Sequence, residues 1–284
     1  MRYVCLIVGL LALAPLQRLI NGVLGEFKEQ EAVLLSWSGP TMKKLVPGFE
    51  GPVADLFWLR TVQYYGGQRV FAAGKKFDLV APLIDVTVAL DPRMDVAYRL
   101  GAIFLSESPP AGAGRPLEGA KLMKRGIAAN PTNWRLGYEA GVFESDFLGD
   151  YVGASTTILA ASEVPGAAPW LKSVAAVLLQ KGGDRETSRA VWREIYANSP
   201  EEFMKRSAER RLKNLESLDR CDRIAEALAS YRATFGRFPA TLQELRGQGF
   251  RGPLVDLAEV PLAYNPQTGT VTVDPSSPVY QVVR

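Results

Sequence analysis

The stretch Ile127-Ala-Ala-Asn-Pro131 ends an apolar run with a proline, and three other stretches of the chain end in the same way. They are Val88-Ala-Leu-Asp-Pro92, Ala161-Ser-Glu-Val-Pro165 and Tyr196-Ala-Asn-Ser-Pro200. A proline cannot continue a helix, because it lacks the backbone N–H and its ring clashes with the preceding turn. The four prolines lie 39, 34 and 35 residues apart. The sequence therefore predicts helices that stop at nearly regular intervals.

A second marker has the same period. Gly149-Asp150 and Gly183-Asp184 lie 34 residues apart, and such pairs are typical of turns between helices. Two markers with one period predict a unit of two helices that is repeated about three times.

A two-helix unit of about 34 residues resembles the tetratricopeptide repeat (TPR), in which small residues stand where helices cross and a proline ends the unit. The resemblance covers residues 80–215. After Pro131, it puts Gly141 at the small position of the first helix, and Gly153 and Ala160 at those of the second. In the next unit the matching residues are Ala175, Thr187 and Glu194.

The repeats are degenerate. Glu144 stands where the family usually has a tyrosine, and Thr157 where a large apolar residue is usual. The unit after Pro92, which has Gly101 and Met123, carries five extra residues in the loop 108–116.

Stacked helix pairs form an extended concave surface that binds other proteins. By the register of the repeats, the resemblance implies six groove-facing residues: Arg99, Arg135, Tyr138, Ser145, Lys172 and Gln180. Three of them are basic, which favours an acidic segment or a C-terminal carboxylate as the ligand.

The amino terminus has an unbroken apolar run at residues 3–16 after a single basic residue, Arg2. This run is typical of an export signal, and it is long enough to span a bilayer only if it extends to Leu24. Pro15 follows the Ala12-x-Ala14 pattern and disfavours cleavage there, so we expect an uncleaved signal anchor. A cleaved signal and a buried N-terminal helix of a cytosolic protein are the alternatives. The anchor predicts a membrane protein whose body is periplasmic or extracytoplasmic.

The composition excludes several kinds of chemistry. The 284 residues contain 33 basic and 30 acidic side chains, and a net charge of +3 is too small to favour nucleic acid as a partner. Histidine is absent, which excludes histidine-assisted nucleophilic catalysis and histidine-ligated metal sites. The two cysteines, Cys5 and Cys221, form no recognisable motif. We expect no metal, no cofactor, no small-molecule substrate and no enzymatic activity.

Charges of both signs crowd a predicted helix from Glu201 to Arg223. It is either a basic docking face around Arg210, Arg211 and Lys213, or a solvated face with weak ion pairs. The ion pairs expected from the spacing are Glu202–Arg206, Glu209–Lys213 and Glu216–Arg220. Four tryptophans fall in helical patterns and are predicted to anchor the core: Trp58, Trp134, Trp170 and Trp192.

The residues that follow predict a small α+β element: a helix over 224–231, a short helix over 241–246, and a hairpin with its turn at 266–269. Residues 222–275 resemble the globular half of type II secretion pseudopilins, mainly through the stretch Tyr231-Arg-Ala-Thr-Phe-Gly-Arg-Phe-Pro239. The apolar run near the amino terminus lacks the processing site of pilins, which argues against incorporation into a pilus.

Together these features predict a mainly α protein: a TPR-like α-solenoid of about three degenerate repeats with a small α+β element. The predicted parts are an anchor at 1–24, a helical cap at 25–79, repeats at 80–218 and the α+β element at 219–284. An aromatic-rich helix before Gly66 belongs to the cap. The predicted function is a membrane-anchored scaffold that presents a groove to a protein of a bacterial-type cell envelope. The alternatives are an accessory factor of a secretion or pilus-like machine that acts through the C-terminal element and, less favoured, a glycan-active enzyme that uses carboxylates.

Overall fold

The computed structural model describes residues 38–70 and 76–281. It is mainly helical, as predicted, and the described residues contain one sheet of two strands. The chain divides into two compact units, one that ends at Pro131 and one that begins at Thr132. The predicted anchor lies outside the described residues. Across the residues that are described, no helix combines the length and apolar character needed to cross a bilayer.

Five helices form the described part of unit 1: α1 Gly39–Leu45, α2 Glu50–Val70, α3 Val80–Leu90, α4 Asp95–Ser106 and α5 Pro116–Ala129. One apolar cluster joins the first three helices and consists of Met42, Ala54, Phe57, Leu83, Val86 and Leu90. Helix α2 runs through Gly66 and Gly67, so the prediction that it ends before this pair is wrong. The enlarged loop between α4 and α5 is present where the sequence predicts it.

Unit 2 begins with two helix pairs and ends with a long helix and a small sheet. Its helices are α6 Trp134–Phe143, which continues as a π-helical turn at Glu144–Leu148, α7 Tyr151–Ser162, α8 Leu171–Lys181, α9 Arg185–Asn198 and α10 Glu202–Phe235. A 3-10 helix, Leu242–Gln248, then precedes β1 Ala263–Asn265 and β2 Thr270–Thr272. The two strands pair antiparallel with Tyr264 opposite Val271, which confirms the predicted hairpin.

The prolines end helices as the sequence predicts. Helices α3, α5, α7 and α9 end two or three residues before Pro92, Pro131, Pro165 and Pro200. The missing N–H of each proline therefore falls where no helical hydrogen bond is needed.

The two glycine–aspartate pairs form equivalent turns. Gly149 and Gly183 have φ angles of 66° and 87°, a left-handed conformation that glycine adopts without steric cost. The next residue caps the second helix of each pair: Asp150 accepts a hydrogen bond from the N–H of Gly153 at 2.8 Å, and Asp184 accepts one from the N–H of Thr187 at 3.0 Å. The predicted turns are confirmed.

Small residues let α6 and α7 approach closely. A Cβ on Gly141 would lie 2.4 Å from Cγ1 of Ile158 and 2.8 Å from the carbonyl oxygen of Ala154. A Cβ on Gly137 would lie 2.8 Å from that of Ala161. The prediction for Gly141 is thus confirmed, because a larger residue would collide with the facing helix.

The predicted small positions of the second helices are wrong by one residue. In α7, Ala154 and Ala161 are buried, whereas Gly153 is half-buried and Ala160 is exposed. In α9, Ser188 and Ile195 are buried, whereas Thr187 and Glu194, the predicted positions directly before them, are exposed. The buried positions are shifted by one residue in both second helices, so equivalent positions are still 34 residues apart.

Helix α10 is one continuous element of 34 residues, whereas the sequence predicts two helices. Its first half packs on α9 through Met204, Ala208 and Leu215. Its second half forms the core of the C-terminal element with Ile224 and Leu228. The helix crosses the predicted boundary at 218 and 219 without interruption, and that boundary stays a prediction.

Polar side chains in the middle of α10 join its two halves to the rest of unit 2. Asn214 accepts a hydrogen bond from the amide of Gln180 at 3.1 Å and donates one to the carbonyl oxygen of Val279 at 3.0 Å. Arg220 donates to the carbonyl oxygens of Val255 and Asp256. Of the three predicted ion pairs only Glu209–Lys213 forms, at 2.8 Å; Glu202 pairs instead with Lys205, and Glu216 with Arg223.

We expect Gly141→Ala to lower the free energy of unfolding by about 1–3 kcal/mol, because its methyl group would overlap Ile158. Urea denaturation followed by circular dichroism measures this change. Gly247→Ala in the same unit is the matched control, since a Cβ there meets no atom within 4 Å. Equal stability of the two variants would contradict the close helix crossing.

Burial raises the pKa of the Cys221 thiol from 9.0 to about 11. Between about pH 9 and pH 11 the thiol ionises in the unfolded chain but not in the folded one. The free energy of unfolding therefore falls as the pH rises through this range. We expect the free energy of unfolding to fall less steeply over this range in Cys221→Ala than in the parent. Identical slopes in urea denaturation at several pH values would refute the assignment.

Candidate functional site

Three aromatic side chains meet in unit 2 where α6 and α8 begin. Trp170, directly before α8, lies edge-on to Tyr138 with ring centroids 5.0 Å apart, and edge-on to Trp134 at 6.2 Å. Trp134 and Tyr138 are half-buried against the cluster of Ile158, Leu171 and Ala175. Trp170 is 41% exposed. We call Trp134, Tyr138 and Trp170 the aromatic corner.

Local structure holds Trp134 and its neighbour Arg135 at the first turn of α6. The side chain of Asn133 caps this helix by accepting a hydrogen bond from the N–H of Leu136 at 3.3 Å. The guanidinium of Arg135 lies 4.6 Å from the centre of the Trp134 ring, within the range of a cation–π interaction. Arg135 is exposed, and no acidic side chain among the described residues pairs with it. It is therefore a surface cation with a defined position.

Lys172 lies two residues beyond Trp170 and is held by two glutamates. Its Nζ is 2.6 Å from Glu194 and 2.9 Å from Glu163. Lys172 donates these hydrogen bonds, and they raise its pKa, the one to Glu194 more than the one to Glu163. The hydrogen bond that Glu163 accepts from Lys172 lowers the pKa of Glu163. Two carboxylates surround one ammonium, so Lys172 adds no net positive charge to this surface.

A pocket of about 200 Å³ opens beside Lys172. Its walls come from the end of the α7–α8 loop, from α9 and from the start of α10. They include Ala167, Pro169, Lys172, Ile195, Pro200 and Met204. Since Pro169 directly precedes Trp170, the pocket and the aromatic corner are adjacent along the chain. The lining is mainly apolar, and Lys172, Glu194, Ser162 and Asn198 supply its charged and polar groups.

Three of the six residues predicted to face a groove belong to this region: Arg135, Tyr138 and Lys172. The hydroxyl of Ser145 lies 3.0 Å from the carbonyl oxygen of Val142 and 3.0 Å from the carboxylate of the neighbouring Asp146, either of which can accept its one proton. Gln180 is buried and its amide is bound to Asn214, so it presents almost no surface. Arg99 is half-buried in α4 of unit 1.

Trp170 is a surface residue, so the prediction that it anchors the core is wrong. Trp192 is buried, with 1% of its surface exposed, as expected of a core anchor, but Trp170 precedes α8 and leaves the core. The signal was Pro165-Gly166, where Gly166 has a φ of 79°. Trp170 lies in the loop that follows this turn, directly before α8.

Two further sets of charged side chains in unit 2 are engaged within the chain. Asp219 and Asp222 pair with Arg185, and Asp219 also pairs with Arg189, so these carboxylates fasten α9 to α10. Arg211, predicted for a basic face, packs over the ring of Trp192, and burial lowers its pKa. In the described part of the chain, no group of three or more cysteine and acidic side chains is arranged to hold a metal ion.

We expect Lys172→Met to raise the pKa of Glu163 towards its usual value, because the hydrogen bond and charge that lower it are removed. Titration of the side-chain carboxyl carbon by NMR measures this change. Lys181→Met is the control, since Lys181 lies over the ring of Tyr151 instead. An unchanged Glu163 titration in Lys172→Met would refute the ion pair.

No protein-family model matches this chain, and neither does any curated protein or solved structure.

Proposed function

We propose that this chain is a membrane-anchored scaffold that binds a segment of another protein at the aromatic corner of unit 2. The observation that carries the proposal is Trp170, an exposed indole held edge-on by two other aromatic rings beside an apolar pocket. Tryptophan, tyrosine and arginine are the residues that contribute most to binding at protein interfaces.

The kind of segment follows from the charges around the corner. Arg135 offers a fixed cation above Trp134, whereas Lys172 is neutralised by its two glutamates. A segment that places an apolar side chain in the pocket and a carboxylate near Arg135 fits this arrangement. The acidic ligand expected from the sequence is thus kept, with Arg135 as its main contact.

The helix pairs α6–α7 and α8–α9 support a repeat of the tetratricopeptide type. They have equivalent glycine–aspartate turns and equivalent proline stops. The complete α-solenoid stays a prediction, as do the anchor at 1–24 and the extracytoplasmic location of the body.

An accessory role in a secretion or pilus-like machine is the alternative. It would use the C-terminal element, where Phe235 is 48% exposed at the end of α10. The two proposals differ in which aromatic side chain meets the partner, and one experiment separates them.

We expect a photoreactive phenylalanine in place of Trp170 to crosslink a defined protein in native membranes. The same residue in place of Phe235 should give no adduct of that mass, and mass spectrometry identifies the adducts. Adducts at position 235 alone would favour the accessory role. Adducts at neither position would refute both.

A charge reversal at the site provides the second arm. We expect Arg135→Glu to reduce the Trp170 adduct about tenfold or more, since removing a charged partner and introducing a like charge costs several kcal/mol at an interface. Arg193→Glu, a reversal on the exposed face of α9, is the matched control. Equal adduct yields in the two variants would show that Arg135 does not bind the partner.

A further inference from the structure

A cavity of about 370 Å³ opens on the C-terminal element of unit 2. One wall is a single face of α10, because Ala227, Ser230, Tyr231 and Thr234 follow each other at the three- and four-residue spacing of a helix face. The other wall is the end of the 3-10 helix Leu242–Gln248 together with the turn after it. The volume falls in the range of about 300–1,000 Å³ that is usual for small-molecule sites.

The turn after the 3-10 helix fixes Phe250 as one side of the cavity. Gly249 has a φ of 87°, which glycine adopts without steric cost, and the N–H of Phe250 donates to the carbonyl oxygen of Leu245 at 3.1 Å. The guanidinium of Arg246 lies 5.9 Å from the centre of the Phe250 ring and donates to the Phe250 carbonyl oxygen. A Cβ on Gly252 would lie only 2.6 Å from Cζ of this ring. The ring is therefore held on more than one side.

The walls of the cavity are uncharged. Among the described residues, none of those that line it carries a charge. Two charged residues of the 3-10 helix are engaged elsewhere: Arg246 with Phe250, and Glu244 with the hydroxyl of Tyr231 at 2.9 Å and with the start of its own helix. A charged ligand would lose its hydration here without gaining a partner of opposite charge. The cavity therefore favours an uncharged ligand.

The polar side chains of the cavity offer mainly hydrogen-bond acceptors. The hydroxyls of Ser230 and Thr234 each donate to a carbonyl oxygen one turn earlier in α10, at 3.1 Å, so their oxygens keep only the capacity to accept. Gln248 is exposed, and within the part of the chain that the structure describes its side-chain amide has no hydrogen-bond partner. That amide can both donate and accept. The ligand that fits carries several donors and no charge.

We propose that this cavity binds a neutral oligosaccharide. The apolar C–H face of a sugar ring packs on an aromatic ring such as that of Phe250. Sugar hydroxyls donate to Ser230 and Thr234, and Gln248 exchanges hydrogen bonds with a further hydroxyl or with an acetamido group. A neutral sugar combines the two properties that the walls select, a lack of charge and many donors.

An extended peptide fits these walls less well. A peptide bound in extended form depends on free main-chain N–H and C=O groups in its site. The N–H of Gly249 donates to the carbonyl oxygen of Arg246 at 3.2 Å, and the N–H and C=O of Phe250 are bound to Leu245 and Arg246. The main-chain groups on the α10 wall are used within the helix. The cavity thus offers side-chain groups for binding.

Saturation-transfer NMR of the full chain tests this proposal, in a phosphocholine detergent that carries no sugar. The probes are chitotriose and cellotriose, which are neutral, and trigalacturonate, which has as many rings but is negatively charged. We expect transfer to a neutral probe and several-fold less transfer to trigalacturonate. A signal with chitotriose alone would add that an acetamido group is recognised. Transfer to neither neutral probe, or equal transfer to the charged one, would overturn the proposal.

A glutamine pair locates the bound sugar. We expect Gln248→Ala to reduce the transfer several-fold, because hydrogen bonds to the ligand are lost. Gln243→Ala is the matched control, since Gln243 is an exposed glutamine of the same 3-10 helix that does not line the cavity. Equal signals in these two variants would contradict the assignment.

A change behind the aromatic wall provides a second readout. We expect Gly252→Ala to weaken the transfer as well, because its methyl group displaces the Phe250 ring while every side chain of the lining is retained. Circular dichroism verifies that this variant is folded. A folded Gly252→Ala protein with an unchanged signal would show that the position of the ring does not matter for binding, and would overturn the stacking.

One further variant separates this cavity from the aromatic corner, where the exposed ring of Trp170 is another surface on which a sugar can stack. Loss of the signal in Trp170→Ala, with the full signal in Gln248→Ala, would place the sugar at the aromatic corner and overturn the proposal. Protein adducts at position 170 report the proposed function, so either proposal can fail while the other stands.

Discussion

A proline cannot take part in the hydrogen bonding of a helix interior, and four prolines set the lengths of the helices in this chain. Helix α7 ends before Pro165 and helix α9 ends before Pro200, so the second helices of the two pairs have similar lengths. Glycine at the α6–α7 crossing then lets the paired backbones approach. Trp170, the exposed residue of the aromatic corner, lies in the loop that contains Pro165. The loop that contains Pro165 thus separates two helix pairs and also carries an exposed aromatic side chain.

Local backbone requirements explain what could be predicted from the sequence. Proline stops, left-handed glycines at 149 and 183, and the hairpin turn each depend on a few adjacent residues. The one-residue shift in α7 and α9, the continuity of α10 and the exposure of Trp170 depend on packing between distant residues. Periodicity alone does not contain that information. For the same reason the register could place Gln180 in a groove although the structure buries it.

The departures from the repeat pattern are accommodated by specific contacts. Glu144 is buried in a position where the family usually has tyrosine, and it accepts a hydrogen bond from Thr157 at 2.7 Å. Thr157 is the other atypical residue. A buried carboxylate needs such a partner, so two residues that each weaken the resemblance compensate each other.

Helix α10 would measure about 51 Å at the usual rise per residue, and both the α9 interface and the C-terminal core are built on it. Asn214 in its middle is bound to Gln180 on one side and to Val279 on the other. Local opening of the tail therefore exposes a buried amide next to the helix pairs. The C-terminal element thus helps to hold unit 2 together through Asn214. We expect the backbone amides of this element and of α8 to exchange hydrogen through one shared opening event.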